Sequence, residues 1–146
     1  MKYIILLVLV VNLYAKEYKA VFDCSSSDAY YIKTRMLLIN KTISMIEEKG
    51  DKANFVITLH GSCVPMISKN YEEIVDDDDL ADIKLAQKYI TDLATSKQVK
   101  VIACAMSLKA NMIQKKEVLN FVKVSKNSFI DTIEYQNNGF GLMTFK

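Results

Sequence analysis

Four glycines and one proline in 146 residues leave this chain few places to break into linkers, and no internal repeat or low-complexity segment divides it. The glycines are also too scattered to form a phosphate-binding loop or a dinucleotide fingerprint, and no Gly-x-Ser-x-Gly elbow is present. Nucleotide-dependent enzymes and serine hydrolases are therefore set aside. Nineteen basic against seventeen acidic residues give a net charge of +2. The basic residues form no stripe, so nothing points to nucleic acid as a partner. One histidine and three cysteines bound the ligand chemistry, and no C-x-x-C or H-x-x-x-H pair clusters them locally. What is abundant is apolar: 51% of the residues are hydrophobic and 25% charged, a balance that suits one folded domain with a sizeable core.

The first fifteen residues differ from the rest. Lys2 is followed by an apolar run from Tyr3 to Val11, then by Asn12-Leu-Tyr-Ala15 before the polar Lys16-Glu17. Charged, apolar and cleavage regions in that order read as a secretory signal, with the cut after Ala15 and a periplasmic destination. The run falls well short of the about twenty residues that span a hydrocarbon core, so stable membrane insertion after cleavage is not expected. Residues 16–146 are then read as a single domain.

Within that domain, strands and helices alternate. Tyr18–Asp23 reads as a strand ending at Cys24, and Ser25-Ser-Ser-Asp28 supplies N-cap residues for a helix over Ala29–Lys49. Ile32, Met36, Ile39, Ile43 and Ile46 form its apolar stripe, and Gly50 follows as a left-handed cap. A second strand, Asn54–Leu59, runs into His60-Gly61-Ser62-Cys63, with a short helix around Val64–Ser68. Asp76–Asp79 lacks the spacing of a calcium loop and is read as capping and electrostatically favouring a helix over Leu80–Ser96. A third strand around Val99–Cys104 is followed by a helical or turn-like stretch to Leu119 and a fourth strand at Phe121–Val124. Asn127–Asn138 predicts an amphipathic helix with Phe129, Ile130 and Ile133 on one side, and Phe140–Phe145 a fifth strand. The expected fold is a three-layer α/β/α sandwich around a largely parallel sheet of about five strands.

Candidate chemistry collects at the ends of these strands. If the strands run parallel, Cys24, His60, Cys63 and Cys104 lie along one carboxyl edge, where ligands bind in open α/β sheets. Cys104 faces the first turn of a following helix, whose dipole favours a thiolate. Three chemistries fit such an edge. Cys104 can act as a nucleophile that accepts sulfur, with His60 orienting or deprotonating a thiol and Lys109 adding positive potential. Two of the cysteines can form a disulfide and leave the third free. Or three cysteines and one histidine can hold zinc or copper(I), with all the order supplied by the fold. Beside these stand inert readings: a packed small residue for each cysteine, a turn hydrogen bond for His60, and a solvated helix position for Lys109.

The succession of Cys24-Ser-Ser-Ser-Asp28, His60-Gly61, Val101-Ile-Ala-Cys104 with Ser107-Leu-Lys-Ala110, and Glu134-Tyr-Gln-Asn-Asn-Gly-Phe140 resembles the DsrE/DsrF-like sulfur-relay family. The resemblance implies a three-layer α/β/α domain that assembles into homo-oligomers, trimers or hexamers. It further implies that Cys104 carries a persulfide and passes sulfane sulfur between donor and acceptor, with covalently held sulfur in place of any dissociable cofactor. The alternative is an oligomeric binding protein whose cysteines form a structural disulfide or a Cys/His metal site.

Overall fold

A helix or helical turn separates each strand of this chain from the next, and such crossovers return the chain in the same direction, so the strands pair in parallel. The computed structural model describes residues 15–145; of the expected signal segment, residues 1–15, all but Ala15 lie outside the described residues. Five strands, β1 (Glu17–Cys24), β2 (Lys52–Leu59), β3 (Lys100–Cys104), β4 (Lys123–Ser125) and β5 (Gly141–Phe145), form one sheet in the order β4-β3-β2-β1-β5. Every pairing is parallel, which makes the architecture the expected α/β sandwich.

Helices α1 (Ala29–Glu47) and α2 (Leu80–Ser96) cover one face. The isoleucine and methionine stripe of α1 is buried as its spacing predicts, and Asp28 caps the helix by accepting a hydrogen bond from Tyr31 N at 2.8 Å. Ile83, Ala86, Ile90 and Leu93 of α2 join it over Phe55, Ile57, Leu59, Val101 and Ala103 of the sheet. Gly50, φ +78°, turns the chain out of α1 as expected. The opposite face packs Val21, Val56 and Ile102 against Tyr135 and Phe140, under helix α4 (Ser128–Asn137). The six-residue α3 (Ala105–Ala110) lies at the carboxyl edge, directly after β3.

Two expectations need correction. Asp77–Asp79 form a 3₁₀ turn leading into α2, but neither Asp76 nor Asp79 makes a side-chain capping bond. Only the electrostatic half of that reading survives, carboxylates placed at the positive end of a helix. Phe129, Ile130 and Ile133 do share a side of α4, yet at 62%, 55% and 56% exposure they face away from the core. The buried positions of α4 are Ser128 and Thr132, whose small side chains let the helix backbone approach the sheet.

A disulfide joins Cys24, at the end of β1, to Cys63, in the 3₁₀ turn Gly61–Ile67, with a Cα–Cα separation of 5.9 Å. Both cysteines are fully buried on the α1/α2 face. The bond ties together residues 39 apart, and restricting a loop of that size in the unfolded chain is worth about 2–4 kcal/mol. Urea unfolding with and without a thiol reductant is expected to show a loss of that size; superimposed curves would mean that the bond adds no stability.

Candidate functional site

Side chains along a strand point alternately to the two faces of a sheet, so strand-end residues divide by parity. In β1 and β2 the register pairs Val21 with Val56, Asp23 with Thr58 and Cys24 with Leu59. In β2 and β3 it pairs Thr58 with Ile102 and Leu59 with Ala103, so His60 falls one step on, beside Cys104. Val21, Val56 and Ile102 belong to the α4 face, and Asp23, Thr58, His60 and Cys104 continue their rows. Cys24 belongs to the other parity and sits in the α1/α2 core with Cys63.

The four candidates expected at one edge are therefore split between two faces. Cys24 and Cys63 lie there as a disulfide, which removes both as nucleophiles and as metal ligands. Of the three chemistries, the Cys₃His metal site loses two of its four ligands in this way. No group of three or more histidine, cysteine, aspartate or glutamate side chains among the described residues stands ready to hold a metal ion. Cys104 is the free thiol.

Its surroundings explain its chemistry. Cys104 is only 5% exposed, so the expected thiol on an open rim is a thiol under cover. It occupies the N-cap position of α3 without making a capping bond of standard geometry. Burial pushes the thiol up, but the backbone N–H and hydroxyl groups of Ser128 and Ser107 outweigh it and hold Cys104 below the usual thiol value. Ser107 Oγ accepts the Gly61 N–H at 2.9 Å, which leaves its own proton free for the sulfur. Asn111 Nδ2 clamps the same corner, donating to Gly61 O at 3.1 Å and Ser107 O at 2.9 Å. Gly61 adopts φ +54°, a conformation that glycine reaches without strain.

His60 is held on the same face. Its Nε2 lies 3.1 Å from Asp23 Oδ2, while Thr58 Oγ1 donates to Asp23 Oδ1 at 2.7 Å. An ionised carboxylate only accepts, so the contact places the ring proton on Nε2 and leaves Nδ1 as the basic nitrogen. Phe129 packs edge-on against the imidazole, ring centroids 5.5 Å apart. Lys109 stands apart from this group: it is exposed in the last turn of α3 and lines a separate cleft of about 370 Å³ with Leu108, Met112, Ile113 and Val124.

Asp23, Ser107 and Ser128 are the functional positions that a search for cysteine and histidine passes over. Strand parity is the signal for Asp23, because residue 23 shares a row with Val21 and lies one strand from His60. Ser128 has no local signal, since α4 reaches Cys104 only through the tertiary fold.

The comparisons with known proteins agree with this architecture. The family model for the DsrE/DsrF-like family matches residues 19–145. An uncharacterised protein of Aquifex aeolicus (strain VF5) is 35% identical over 144 residues, which is 99% of this chain; the chain spans 63% of that protein's length. The structure of MTH1491, a protein of unknown function from Methanobacterium thermoautotrophicum, superposes with a TM-score of 0.68 at 15% identity, covering 88% of this chain and 99% of the other. The crystal structure of the ychN protein from E. coli does so at 0.54 and 10% identity, over 87% and 99% of the two chains. At such identities the two structures speak for the fold alone, whereas the family model covers nearly all of the described sheet: this chain belongs to the DsrE/DsrF-like family.

Proposed function

We propose that the protein carries sulfane sulfur on Cys104. The observation that supports this reading is the pairing of a single free thiol with hydrogen-bond donors that favour its thiolate, at the carboxyl edge of a parallel sheet. In the loading step the Cys104 thiolate attacks the outer sulfur of a donor persulfide, R–S–SH. The donor S–S bond breaks, R–S⁻ leaves, and Cys104–S–SH forms; one S–S bond replaces another, with no net oxidation. His60, tethered by Asp23, is suited to take up a proton from the thiol before attack.

Delivery needs a second thiol. Cys24 and Cys63 are bonded to each other across the sheet from Cys104, so the acceptor thiolate comes from another molecule. It attacks the outer sulfur, takes it as R′–S–SH and regenerates the Cys104 thiolate. Because Cys104 is only 5% exposed, access requires an opening of the corner where Ser107 of α3 and Ser128 of α4 meet the sulfur. The buried disulfide also supports residence in an oxidising compartment, in line with export directed by the first fifteen residues. The exposed row Phe129, Ile130 and Ile133 supports assembly with further copies of the chain, as a trimer or hexamer.

Three measurements test this reading. Intact mass spectrometry after exposure to polysulfide is expected to show one added sulfur that disappears in Cys104→Ser; sulfur retained by that variant would overturn the assignment. Alkylation of Cys104 by iodoacetamide is expected to titrate below that of a free cysteine measured alongside it. The sign follows from the donors: Ser128→Ala removes thiolate stabilisation, so its midpoint moves up and alkylation slows at neutral pH, while the rates converge in alkali. An unmoved midpoint would remove the Ser128 hydroxyl from the site and leave its backbone N–H as the donor. Finally, sedimentation is expected to give a multimer for the native chain and a monomer for Ile130→Asp/Ile133→Asp; a native monomer would count against assembly through α4.

A further inference from the structure

Among the described residues, two buried polar side-chain atoms have no hydrogen-bond partner, Ser125 Oγ and Asp131 Oδ2. The first of them adjoins Cys104. Ser125 ends β4 and is the direct register partner of Cys104, and strands of a sheet run about 4.8 Å apart with paired side chains on the same face. A hydroxyl shut away from water and left unpaired is costly, and it calls for an explanation.

The sulfur chemistry proposed for Cys104 supplies one. Ser107 and Ser128 already direct their groups at Sγ. A persulfide adds a second sulfur about 2 Å beyond Sγ, and that outer atom carries the charge when the group ionises. It needs a donor of its own. We infer that the Ser125 hydroxyl donates its hydrogen bond to the outer sulfur of a persulfide held on Cys104, making Ser125 a positioning residue for the bound sulfur rather than for the free thiol. This inference rests on the carrier reading above. Three serines from three elements, α3, β4 and α4, then divide the work: two stabilise the attacking thiolate, and the third receives its cargo.

The test separates the two sulfur states. Protein loaded with sodium polysulfide is titrated while following the near-ultraviolet absorbance of the persulfide anion, and unloaded protein is titrated by iodoacetamide alkylation. In Ser125→Ala the persulfide ionisation constant is expected to fall about tenfold, as for one lost hydrogen bond to a charged group, with the thiol midpoint unchanged. Ser125→Thr, which keeps the hydroxyl, is expected to restore the native value. His60, Asp23, Asp131, Tyr135, Lys100 and Lys123, titratable groups on this face, are left in place, so their fields cancel in the comparison. Equal persulfide midpoints in native protein and Ser125→Ala would overturn the inference and leave the carrier reading intact. So would a thiol midpoint that moves with the persulfide midpoint. A loss of stability alone would assign the hydroxyl to a bond with Asp131 and also overturn it. Native protein that takes up no sulfur would sink both readings together.

Discussion

The alternation of side chains along parallel strands governs this molecule. At the carboxyl edge it sends Asp23, Thr58, His60 and Cys104 to the α4 face and Cys24 to the α1/α2 face. A slip of one residue between β1 and its helix-covered face would exchange the two sets, placing Asp23 in the apolar core and Cys24 beside His60. Val21 on one side, and Ala20, Phe22 and Cys24 packed into the core on the other, hold β1 against that slip. Packing energy thus keeps two thiols in a structural bond and reserves the third for chemistry. The sheet, not the spacing of cysteines along the chain, decides which thiol stays free.

The state of that third thiol is a contest between two terms. Burial disfavours the anion, and at 5% exposure the cost to a thiolate is considerable. Donors from Ser128 and Ser107 reverse the outcome, and both belong to the first turns of helices that converge on the sulfur. The supporting bonds matter as much as the donors. Gly61 N donates to the Ser107 hydroxyl and the Asn111 amide to the Ser107 carbonyl, so both the side chain and the backbone of Ser107 are held in place. On the α4 side, Thr132 Oγ1 donates to Ser128 O at 2.9 Å and holds the first turn of that helix together. A donor fixed before the charge forms stabilises it at less cost than one that must reorganise.

Much of the fold is legible in the sequence because its elements are locally consistent. Ile32, Met36, Ile39, Ile43 and Ile46 repeat at helical spacing and are all buried; Asp28 and Gly50 punctuate α1 where their chemistry predicts. Other features resist a local reading. The fourth strand is shifted from Phe121–Val124 to Lys123–Ser125, because a strand of three residues is set by its partner β3 rather than by its own composition. The apolar row of α4 obeys helical periodicity yet turns outward, since periodicity says which residues share a side and not which side meets the sheet. For the site, the strand-end positions of His60 and Cys104 are readable from the run of residues, and the Cys24–Cys63 pairing is one of several that the sequence allows. Ser107, Ser125 and Ser128 become neighbours of Cys104 only when α3, β4 and α4 are brought to one corner.

Cover over a reactive thiol has a chemical consequence. A thiolate open to solvent would react with any small electrophile or oxidant that diffused to it, and a persulfide would be lost as readily to passing thiols. On the carrier reading proposed above, both states are shielded in the closed form, and reagents or partners reach the sulfur when the corner between α3 and α4 opens. The inward contacts of the first turn of α4 are made by small polar side chains, Ser128 and Thr132, while Phe129 and Ile130 are largely exposed. On the same reading, the Cys24–Cys63 bond on the far face leaves no internal thiol to discharge the sulfur. If Cys104 carries sulfur as proposed, a fold that isolates its one free thiol in this way favours transfer between molecules over self-resolution.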